Sequence, residues 1–569
     1  MREIASNMAA SPSANRLVWL KLLVWLVLLG FGLSYGFNYG ISNQVFYMLP
    51  SVHLLHPEYW PRDWAVTQMH HYHFAFAWLA TLMLRLDDSG WLFALANVAT
   101  VVAGMACVWQ MLKAVTSEAG AALATLMVVL IASATRTGGP GTSYVFADIF
   151  QPNALGSVGL VAACWLFVVE RPLASGVVLA VAGAVHANYL VLCIPVFGAA
   201  QLLRSRERLP LRLAQLLGPS LVVLLVTLPL MRTASESPLA AEALRIHQDV
   251  RAPHHYRVET FAWQFLPWLG WQLVGAATIF ELARTRPPLR QLLALLAGFW
   301  ALIVPSVVIV YAFVFRPLIQ LYPWRLTSNC ELLAQAAFAA AVTGSLVTPS
   351  AWPPPGKLAR GGLVFGLALV AVGAVLGHQF LPIVVGVLGL AIWLGSARLL
   401  ARPRLGERAV AGLALVLGVA LVIANARRFS RLSVTSSLLA GRNEGVVQLC
   451  RWLDSNTTNA DLLLTPPDDE EIRFRCHRAI VVDWKTTPMV PADVLDWYQR
   501  LEDVTGRVPL NKESELQDYA LLDDQRLERL RSKYHFGYVV LARGAQSHIG
   551  VEPAFRGSGF LAYRLPPER

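Results

Sequence analysis

Carboxylates that could act as catalytic groups stand in two short polar segments between long apolar runs. The segment "HPEYWPRDWAVTQMHHYHFAF" carries Asp63, and "TSYVFADIFQPN" carries Asp148. A positioned carboxylate can take a proton from a hydroxyl or amine while that group attacks an electrophile, which is general-base catalysis. Asp63 is therefore the candidate base, and Asp148 is the candidate for orienting the second reactant or sharing a metal. Capping of a following helix is the simpler alternative for both carboxylates.

Cationic and hydrogen-bonding side chains in other segments could hold a negatively charged substrate. Arg325 ends the segment "LIQLYPWR", and a guanidinium binds phosphate oxygens through two parallel hydrogen bonds. Snorkelling toward lipid headgroups is the alternative for an arginine at the mouth of a span. The segment "RAPHHY" begins with Arg251 and ends in two histidines and a tyrosine. The candidate substrate-binding residues are Arg325, His186, His254, His255, Tyr256 and Gln151.

Three histidines in the first polar segment are the candidate metal ligands. They are His70, His71 and His73, and imidazole nitrogens commonly bind divalent metals. Their spacing is not a standard zinc spacing, so packing at a membrane interface is the alternative. A divalent metal is the candidate cofactor.

The composition of the chain is that of a membrane protein with several spans. The mean hydropathy of the 569 residues is +0.50, and only 15% of them are charged, against about a quarter in soluble proteins. The net charge of +11 does not indicate a nucleic-acid partner, because the lysines and arginines lie mostly in short connectors, where they set orientation. Membrane lipid is the expected surrounding.

Apolar runs near the length of a bilayer core predict about thirteen transmembrane helices between residues 17–36 and 410–425. The run 73–86 is too short to span, so it predicts an interfacial helix, with Trp60 and Trp64 at the level of the lipid headgroups. With the N-terminus inside, the inner connectors carry most of the Lys and Arg, as the positive-inside rule requires. This topology puts all the candidate site residues on the outer face.

The last part of the chain differs from the rest. Residues 1–425 predict the transmembrane domain, and 426–569 predict a soluble α/β domain, which the same topology puts outside the membrane. Segments such as "RAIVVDWK" and "FGYVVLAR" have the composition of strands, and "PADVLDWYQRLEDV" has helical spacing. Cys450 and Cys476 lie in this tail, where an oxidising compartment would allow a disulfide between them.

The arrangement resembles the GT-C superfamily of integral-membrane glycosyltransferases, in particular the aminoarabinose transferase and protein O-mannosyltransferase branch. The resemblance rests on an acidic residue in each of the first two outer loops, on the span that opens with "FQPNALGSVGL", and on the soluble tail. Longer segments, "NQVFYMLPSVHLLHPEYWPRDW", "RAPHHY" and "FRCHRAIVVDWK", are similar to an uncharacterised bacterial membrane protein family of this superfamily. The first loop departs from the superfamily in its single acid, and the tail lacks a "WWDYG"-type motif.

The resemblance implies a polytopic α-helical membrane enzyme that transfers a sugar from a polyprenyl-phosphate donor at the outer face of a bacterial inner membrane. No nucleotide-binding loop is evident in the sequence, which favours a lipid-linked donor over a soluble one. Two alternatives remain open at this stage. One is a catalytically degenerate GT-C-like scaffold that binds lipid or a partner, which the single acid of the first loop favours. The other is a transporter or lipid flippase, whose polar residues are expected near the midplane instead of at one face.

Overall fold

A computed structural model describes residues 12–134, 139–204, 207–235, 239–313, 315–352, 356–376, 412, 416–418, 444–547 and 549–567. The predicted span 380–398 and the predicted domain boundary at 425/426 lie outside these residues, as does nearly all of the predicted span 410–425. What is said below of the architecture concerns the described part of the chain.

Helices build the membrane part. They are α1 Pro12–Leu33, α2 Asn43–Leu55, α3 Trp64–Thr67, α4 Phe74–Leu86, α5 Trp91–Val115, α6 Glu118–Ala134, α7 Pro152–Val168, α8 Pro172–Val185, α9 Ala187–Arg204, α10 Leu209–Ser235, α11 Ala240–Arg245, α12 Pro253–Tyr256, α13 Phe265–Ile279, α14 Pro287–Phe313, α15 Arg316–Leu321, α16 Thr327–Val347 and α17 Lys357–Leu376. A π-helical turn over Ile246–Arg251 joins α11 to α12. Short 3-10 turns cover Pro140–Thr142, Val258–Thr260, Ala262–Gln264, Leu282–Arg284, Pro323–Leu326 and Pro349–Ala351.

Several of these helices are long and apolar enough to cross a membrane. By length and composition, six spans qualify: Trp91–Val115, Ala187–Arg204, Leu209–Thr227, Pro287–Phe313, Arg316–Val347 and Lys357–Leu376. Shorter apolar helices over Leu17–Leu33, Glu118–Ser133, Pro152–Val168 and Pro172–Val185 accompany them. The predicted polytopic helical fold is confirmed, and the count of thirteen spans stays a prediction.

Close contact between small residues packs the helices of this part. A Cβ added to Gly270 in α13 would lie 2.5 Å from the carbonyl oxygen of Gly366 in α17, and one added to Gly275 would lie 2.7 Å from the backbone of Ala334 in α16. Glycine at such positions lets helix backbones approach closely, which favours association of apolar helices. α13 therefore packs closely against both α16 and α17.

The predicted helix at 73–86 is confirmed as α4. One face of it packs against α2 through Phe76 and Ala80, which are fully buried, while Phe74, Trp78 and Leu82 are exposed on the other face. At about 1.5 Å per residue a helix of this length reaches roughly 20 Å, against about 30 Å for a bilayer core. The exposed apolar face fits an interfacial location, which stays a prediction.

The tail forms the predicted α/β domain. Its helices are α18 Glu444–Asn456, α19 Glu471–Cys476, α20 Pro491–Thr505 and α21 Asp524–Tyr534, with a 3-10 helix over Glu513–Leu521, and its strands are β1 Leu462–Leu464, β2 Ala479–Ile480, β3 Tyr538–Ala542, β4 Phe555–Arg556 and β5 Phe560–Arg564. The strand order is β2-β1-β3-β5-β4, with β1 parallel to both β2 and β3, and β5 antiparallel to β3 and β4. A disulfide joins Cys450 to Cys476, so the pairing that the sequence allowed is present.

The tail domain packs directly on the first loop of the membrane part. The side chains of Trp60 and Trp64 are 0% and 6% exposed. The indole nitrogen of Trp60 donates to the carbonyl oxygen of Arg473 at 3.1 Å, and the guanidinium of Arg500 lies over the Trp64 ring. Both tryptophans are therefore covered by protein, and their location at the level of the lipid headgroups stays a prediction.

Candidate functional site

A cavity of about 600 Å³ lies where α1 ends and α7 and α16 begin. That volume is within the usual range for a small-molecule site. Of the residues predicted from sequence, it brings together Asp148, Gln151, His254, His255 and Arg325. The other residues that line it are Tyr35, Ser42, Asn43, Tyr47, Gly141, Thr142, Ser143, Tyr144, Phe146, Ala147, Ile149, Asn153 and Tyr322.

Arg325 is held at the cavity by stacking on one side and a hydrogen bond on the other. Its guanidinium carbon lies 4.2 Å from the centre of the Tyr322 ring, and its Nη1 lies 2.7 Å from Nε2 of His186. A guanidinium can only donate, so Nε2 of His186 accepts and the proton of this neutral ring is on Nδ1. His186 is buried and does not line the cavity. It therefore supports Arg325 from behind and does not face a ligand there.

The backbone before Arg325 adopts an unusual conformation. Tyr322 has φ 30° and ψ 74° and separates α15 from the turn that carries Arg325. Positive φ is costly for a residue with a side chain, and such residues often mark functional sites. The sharp turn at Tyr322 places its ring beneath the guanidinium only three residues further along the chain. The stacking and the strain thus belong to the same local structure.

Hydrogen bonds of His255 join three segments, which carry His255, Gly141 and Trp324. Its Nδ1 lies 2.8 Å from the carbonyl oxygen of Gly141 and 2.9 Å from the hydroxyl of Thr142, and its own carbonyl accepts from Trp324 Nε1 at 2.7 Å. Burial, helped by the neighbouring His254, lowers the pKa of His255 to about 3. His255 is therefore neutral near pH 7. With Nδ1 donating to the carbonyl oxygen of Gly141, the neutral ring can accept a hydrogen bond from a ligand at Nε2 but carries no positive charge.

Asp148 projects from the loop before α7. Its side chain is exposed, and its carbonyl accepts from Asn38 Nδ2 at 3.0 Å. The N-cap of α7 is Gln151, so Asp148 does not cap that helix. Burial raises the pKa of the Tyr144 hydroxyl, and the charges of both Arg325 and Asp148 act on it. The carboxylate and the guanidinium are thus within electrostatic reach of one hydroxyl in the cavity wall.

Gln151 and Asn153 order the same wall. Gln151 Nε2 donates to the Tyr144 hydroxyl at 2.6 Å, and the Tyr189 hydroxyl donates to Asn153 Oδ1 at 2.9 Å. The amide nitrogen of Gln151 is therefore bonded to Tyr144, although Gln151 borders the cavity. We interpret it as a residue that fixes the orientation of Tyr144 beside Asp148.

Asp63 lies elsewhere. It is fully buried and is not among the residues that line the cavity. Its Oδ1 accepts from the backbone nitrogen of Ala65 at 3.0 Å, which caps α3, and its Oδ2 accepts from Arg473 Nε at 2.8 Å and from the backbone nitrogen of Ile480 at 3.0 Å. The expectation that Asp63 and Asp148 share one cavity is wrong, because the tail domain supplies a cation that takes Asp63 into the interface.

Arg473 pairs with two carboxylates at once. Its Nε contacts Asp63, its Nη1 contacts Asp483, and Nη1 also donates to the hydroxyl of Thr486 at 2.7 Å. Arg473 is 1% exposed. Burial raises the pKa of Asp63, although the charge of Arg473 acts against this. We call Asp63, Arg473 and Asp483 the docking triad, since the first belongs to the membrane part and the others to the tail.

The three histidines proposed as metal ligands point to different neighbours. His70 Nδ1 lies 3.0 Å from Asp493 Oδ2, the ring of His71 packs against Phe46, and His73 Nδ1 lies 3.3 Å from the carbonyl oxygen of Val185. They do not converge on one point. Within the ranges that the structure describes, no group of three or more His, Cys, Asp or Glu side chains could hold a metal ion.

Tyr256 also stands behind the cavity wall. Its side chain is buried, and its ring centre lies 5.2 Å from that of Tyr322. Together with His186 it braces the residues that face the cavity. Both predicted substrate-binding residues are therefore placed next to the site but not in its lining.

Sequence reasoning missed part of the lining. Tyr35, Ser42, Asn43, Tyr47 and Tyr144 border the cavity, and none of them was a candidate. Tyr144 stands in the same loop as Asp148, and the run "YGFNYGISNQ" after the first apolar segment is polar. That polarity was the available signal, because polar residues at the mouth of a span face either water or a site.

Gly141 gives a direct test of how the loop before α7 is held. It has φ +68°, and an added Cβ would lie 2.6 Å from Cδ1 of Trp324. We expect Gly141→Ala to lower the free energy of unfolding by about 1–3 kcal/mol, since it combines a strained backbone with a clash. The measurement is thermal unfolding in detergent. Gly361→Ala is the control, because nothing lies within 4 Å of its added Cβ, and it should unfold at least as late as the unsubstituted protein.

The chain was compared with protein families, curated proteins and solved structures. A family model described as a domain of unknown function, DUF6798, matches residues 444–504, which include Arg473 and Asp483. Among curated proteins, none matches the chain.

Solved structures are similar over most of the chain. The apo oligosaccharyltransferase of Archaeoglobus fulgidus has 11% identity and a TM-score of 0.49, with 92% of this chain and 69% of that one covered. Apo ArnT from Cupriavidus metallidurans has 15% identity and a TM-score of 0.48, with 98% of each chain covered. ArnT bound to undecaprenyl phosphate has 16% identity and a TM-score of 0.46, with the same coverage.

These neighbours are GT-C glycosyltransferases. A likeness at this level of identity does not say which reaction a chain catalyses.

Proposed function

We propose that this protein transfers a sugar from a polyprenyl-phosphate donor to an acceptor at the outer face of a bacterial inner membrane. One observation carries the proposal: the cavity joins a braced guanidinium, Arg325, to an exposed carboxylate, Asp148, at the ends of apolar helices. A lipid-linked donor needs such a place, because its chain stays in hydrocarbon while its charged headgroup reaches water. In the cavity, Arg325 would bind the donor phosphate and Asp148 would bind the acceptor.

Arg325 binds the donor phosphate in this proposal. Its stacking on Tyr322 and its hydrogen bond to His186 fix the plane of the guanidinium, which leaves further N–H groups to donate to phosphate oxygens in pairs. As the sugar leaves, negative charge grows on the bridging phosphate oxygen. A fixed cation beside that oxygen stabilises the charge in the transition state more than in the ground state.

Asp148 is the general base for the acceptor in this proposal. Its carboxylate takes the proton of the acceptor hydroxyl or amine as that atom bonds to the anomeric carbon. The bond between this carbon and the phosphate oxygen breaks, and its electron pair leaves with the polyprenyl phosphate. Tyr144, held by Gln151 at 2.6 Å, adds a hydroxyl within reach of both charges. We carry no catalytic role for Asp63 forward, since its carboxylate is used in the docking triad.

Two features support an outer location for the tail and the cavity. The distribution of Lys and Arg favours an inside N-terminus, and an odd number of spans then puts the tail outside. The disulfide between Cys450 and Cys476 is of a kind that persists in oxidising compartments such as the periplasm. Both arguments are independent of the chemistry in the cavity.

A second candidate function is binding of a lipid phosphate without transfer. The observation that favours it is that Asp148 is the sole acidic residue among those lining the cavity in the described part of the chain. The two functions share the role of Arg325 and differ in that of Asp148.

The test of the shared part is lipid binding. The purified protein in phosphatidylcholine vesicles is titrated with undecaprenyl phosphate, and we expect Arg325→Ala to weaken binding by about 10- to 100-fold, the usual effect of losing a hydrogen bond to a charged group. Arg325→Lys should recover part of the affinity, since it keeps the charge but loses the planar fork. Arg316→Ala is the control, because Arg316 is exposed and lies outside the cavity lining. Equal affinity of wild type and Arg325→Ala would remove the basis of the proposal.

A further inference from the structure

A second cavity, of about 440 Å³, lies between the tail domain and the membrane part. The end of α2 and the loop after α4 form one side of it, through residues that include Leu55 and Asp88. Helices α18 and α19 of the tail form the other side, through residues that include Arg451 and His477. The two cavities share no lining residue. Ligand sites occur preferentially at interfaces between domains, so this second cavity is a separate candidate site.

Two opposite charges line the second cavity from its two sides. Asp88 belongs to the membrane part and Arg451 to the tail, and both side chains are exposed. In the part of the chain that the structure describes, neither forms an ion pair with the other or with a third residue. The other charged lining residues are already paired, since Asp454 contacts Arg478 and Arg475 contacts Glu471. One carboxylate and one guanidinium are therefore available to a ligand.

The remaining lining favours a ligand that carries both charges. The ring of Tyr59 is stacked with the rings of His56 and His477, at 4.8 Å and 4.3 Å between ring centres. Rings stacked on one another offer little free aromatic face to a sugar. A carboxylate accepts hydrogen bonds from an ammonium, and a guanidinium donates in pairs to phosphate oxygens. A zwitterion with an ammonium and a phosphate matches both groups.

Apolar residues on the membrane side indicate where such a zwitterion is attached. Leu55 and Leu84 line the second cavity. Leu54 and Leu86, close to them in the sequence, are exposed, as is Leu82 on the apolar face of α4. Acyl chains would bury this exposed surface, which a free zwitterion would leave uncovered.

We propose that the second cavity binds the phosphoethanolamine headgroup of a membrane lipid, with its ammonium on Asp88 and its phosphate on Arg451. The bound headgroup contacts the membrane part and the tail at once, so it adds a link between them beside the docking triad. No step of sugar transfer enters this argument. The proposal is therefore independent of the proposed function.

The experiment measures lipid binding to the full chain in detergent by native mass spectrometry, which separates the lipid-bound forms by mass. The probes are phosphatidylethanolamine and phosphatidylcholine with the same acyl chains, and soluble phosphoethanolamine. We expect the wild type to bind phosphatidylethanolamine about 10-fold or more tightly than phosphatidylcholine, because the choline nitrogen has no N–H to donate to Asp88.

Two substitutions separate the two contacts. Asp88→Asn should weaken binding of phosphatidylethanolamine by about 10- to 100-fold and abolish the preference over phosphatidylcholine. Arg451→Met should weaken binding of both lipids, since both carry the phosphate. Glu528→Gln and Arg529→Met are the matched controls, because these charges are exposed on α21, outside the lining. Both should bind like the wild type.

Equal affinity of the wild type for the two lipids would overturn the proposal. So would unchanged binding of phosphatidylethanolamine in Asp88→Asn and Arg451→Met. Soluble phosphoethanolamine that binds as tightly as the lipid would support the zwitterion site and overturn the lipid as its source. Because both side chains are exposed and unpaired, the two variants should unfold at the wild-type temperature without lipid, and lost binding then reports the lost contact.

Discussion

Replacing Asp148 with Asn is expected to lower sugar transfer by about 10²–10⁴-fold, the usual contribution of a general base. The amide keeps the size of the side chain and a hydrogen-bonding oxygen but cannot take a proton from the acceptor. Because the phosphate is held by Arg325, binding of undecaprenyl phosphate should be unchanged. Loss of turnover with unchanged donor binding would show that Asp148 acts in the transfer step and Arg325 in binding of the donor.

Transfer is measured in vesicles containing polyprenyl-phosphate-linked sugars extracted from bacterial membranes, as release of free polyprenyl phosphate. Asp249→Asn is the control, since Asp249 is an exposed carboxylate in the loop that also carries Arg251, and it should transfer like the wild type. Wild-type turnover that Asp148→Asn retains would contradict the role of Asp148 as base. Donor binding without turnover in the wild type would favour the lipid-binding scaffold.

Replacing Arg473 with Met should be the most damaging single change at the domain interface. The substitution leaves Asp63 and Asp483 buried without their shared cation. Removing one partner of a buried ion pair typically costs about 3–5 kcal/mol, because the remaining charge has no compensation. We expect the tail to undock, with earlier thermal unfolding and rapid cleavage of the tail by protease.

Asp63→Asn distinguishes docking from catalysis at the same interface. The triad has two carboxylates for one guanidinium, so the introduced amide would keep an oxygen for Arg473 and leave the pair with Asp483 intact. We expect a small loss of stability compared with Arg473→Met and retained transfer. Arg556→Met is the control within the tail, since Arg556 pairs with Glu552 on an exposed face. If Asp63→Asn folded fully but lost transfer, Asp63 would have a direct role after all.

Asp148 and Asp63 show how much of the candidate site could be predicted from the sequence. Asp148, Arg325 and His254 come together because loops on one face of a helical bundle are neighbours, and span parity predicts which loops share a face. The helix over 74–86 and the strands of the tail follow from local periodicity. None of these requires knowledge of a distant partner.

Asp63 could not be assigned in the same way. Its counter-charge, Arg473, lies 410 residues further along the chain, and no local pattern links the two positions. An aspartate beside tryptophans has the same sequence appearance whether it faces a substrate or a guanidinium. The burial of Trp60 and Trp64 has in part the same origin, since Arg473 and Arg500 of the tail contact these side chains.

The long separation within the docking triad also sets an order of events during synthesis. The ribosome completes the loops that carry Asp63, Asp148 and Arg325 well before it reaches Arg473, and domains made early generally fold first. Until the tail emerges, Asp63 has no counter-ion. Only a polypeptide that has been translated through the tail can complete the docking triad.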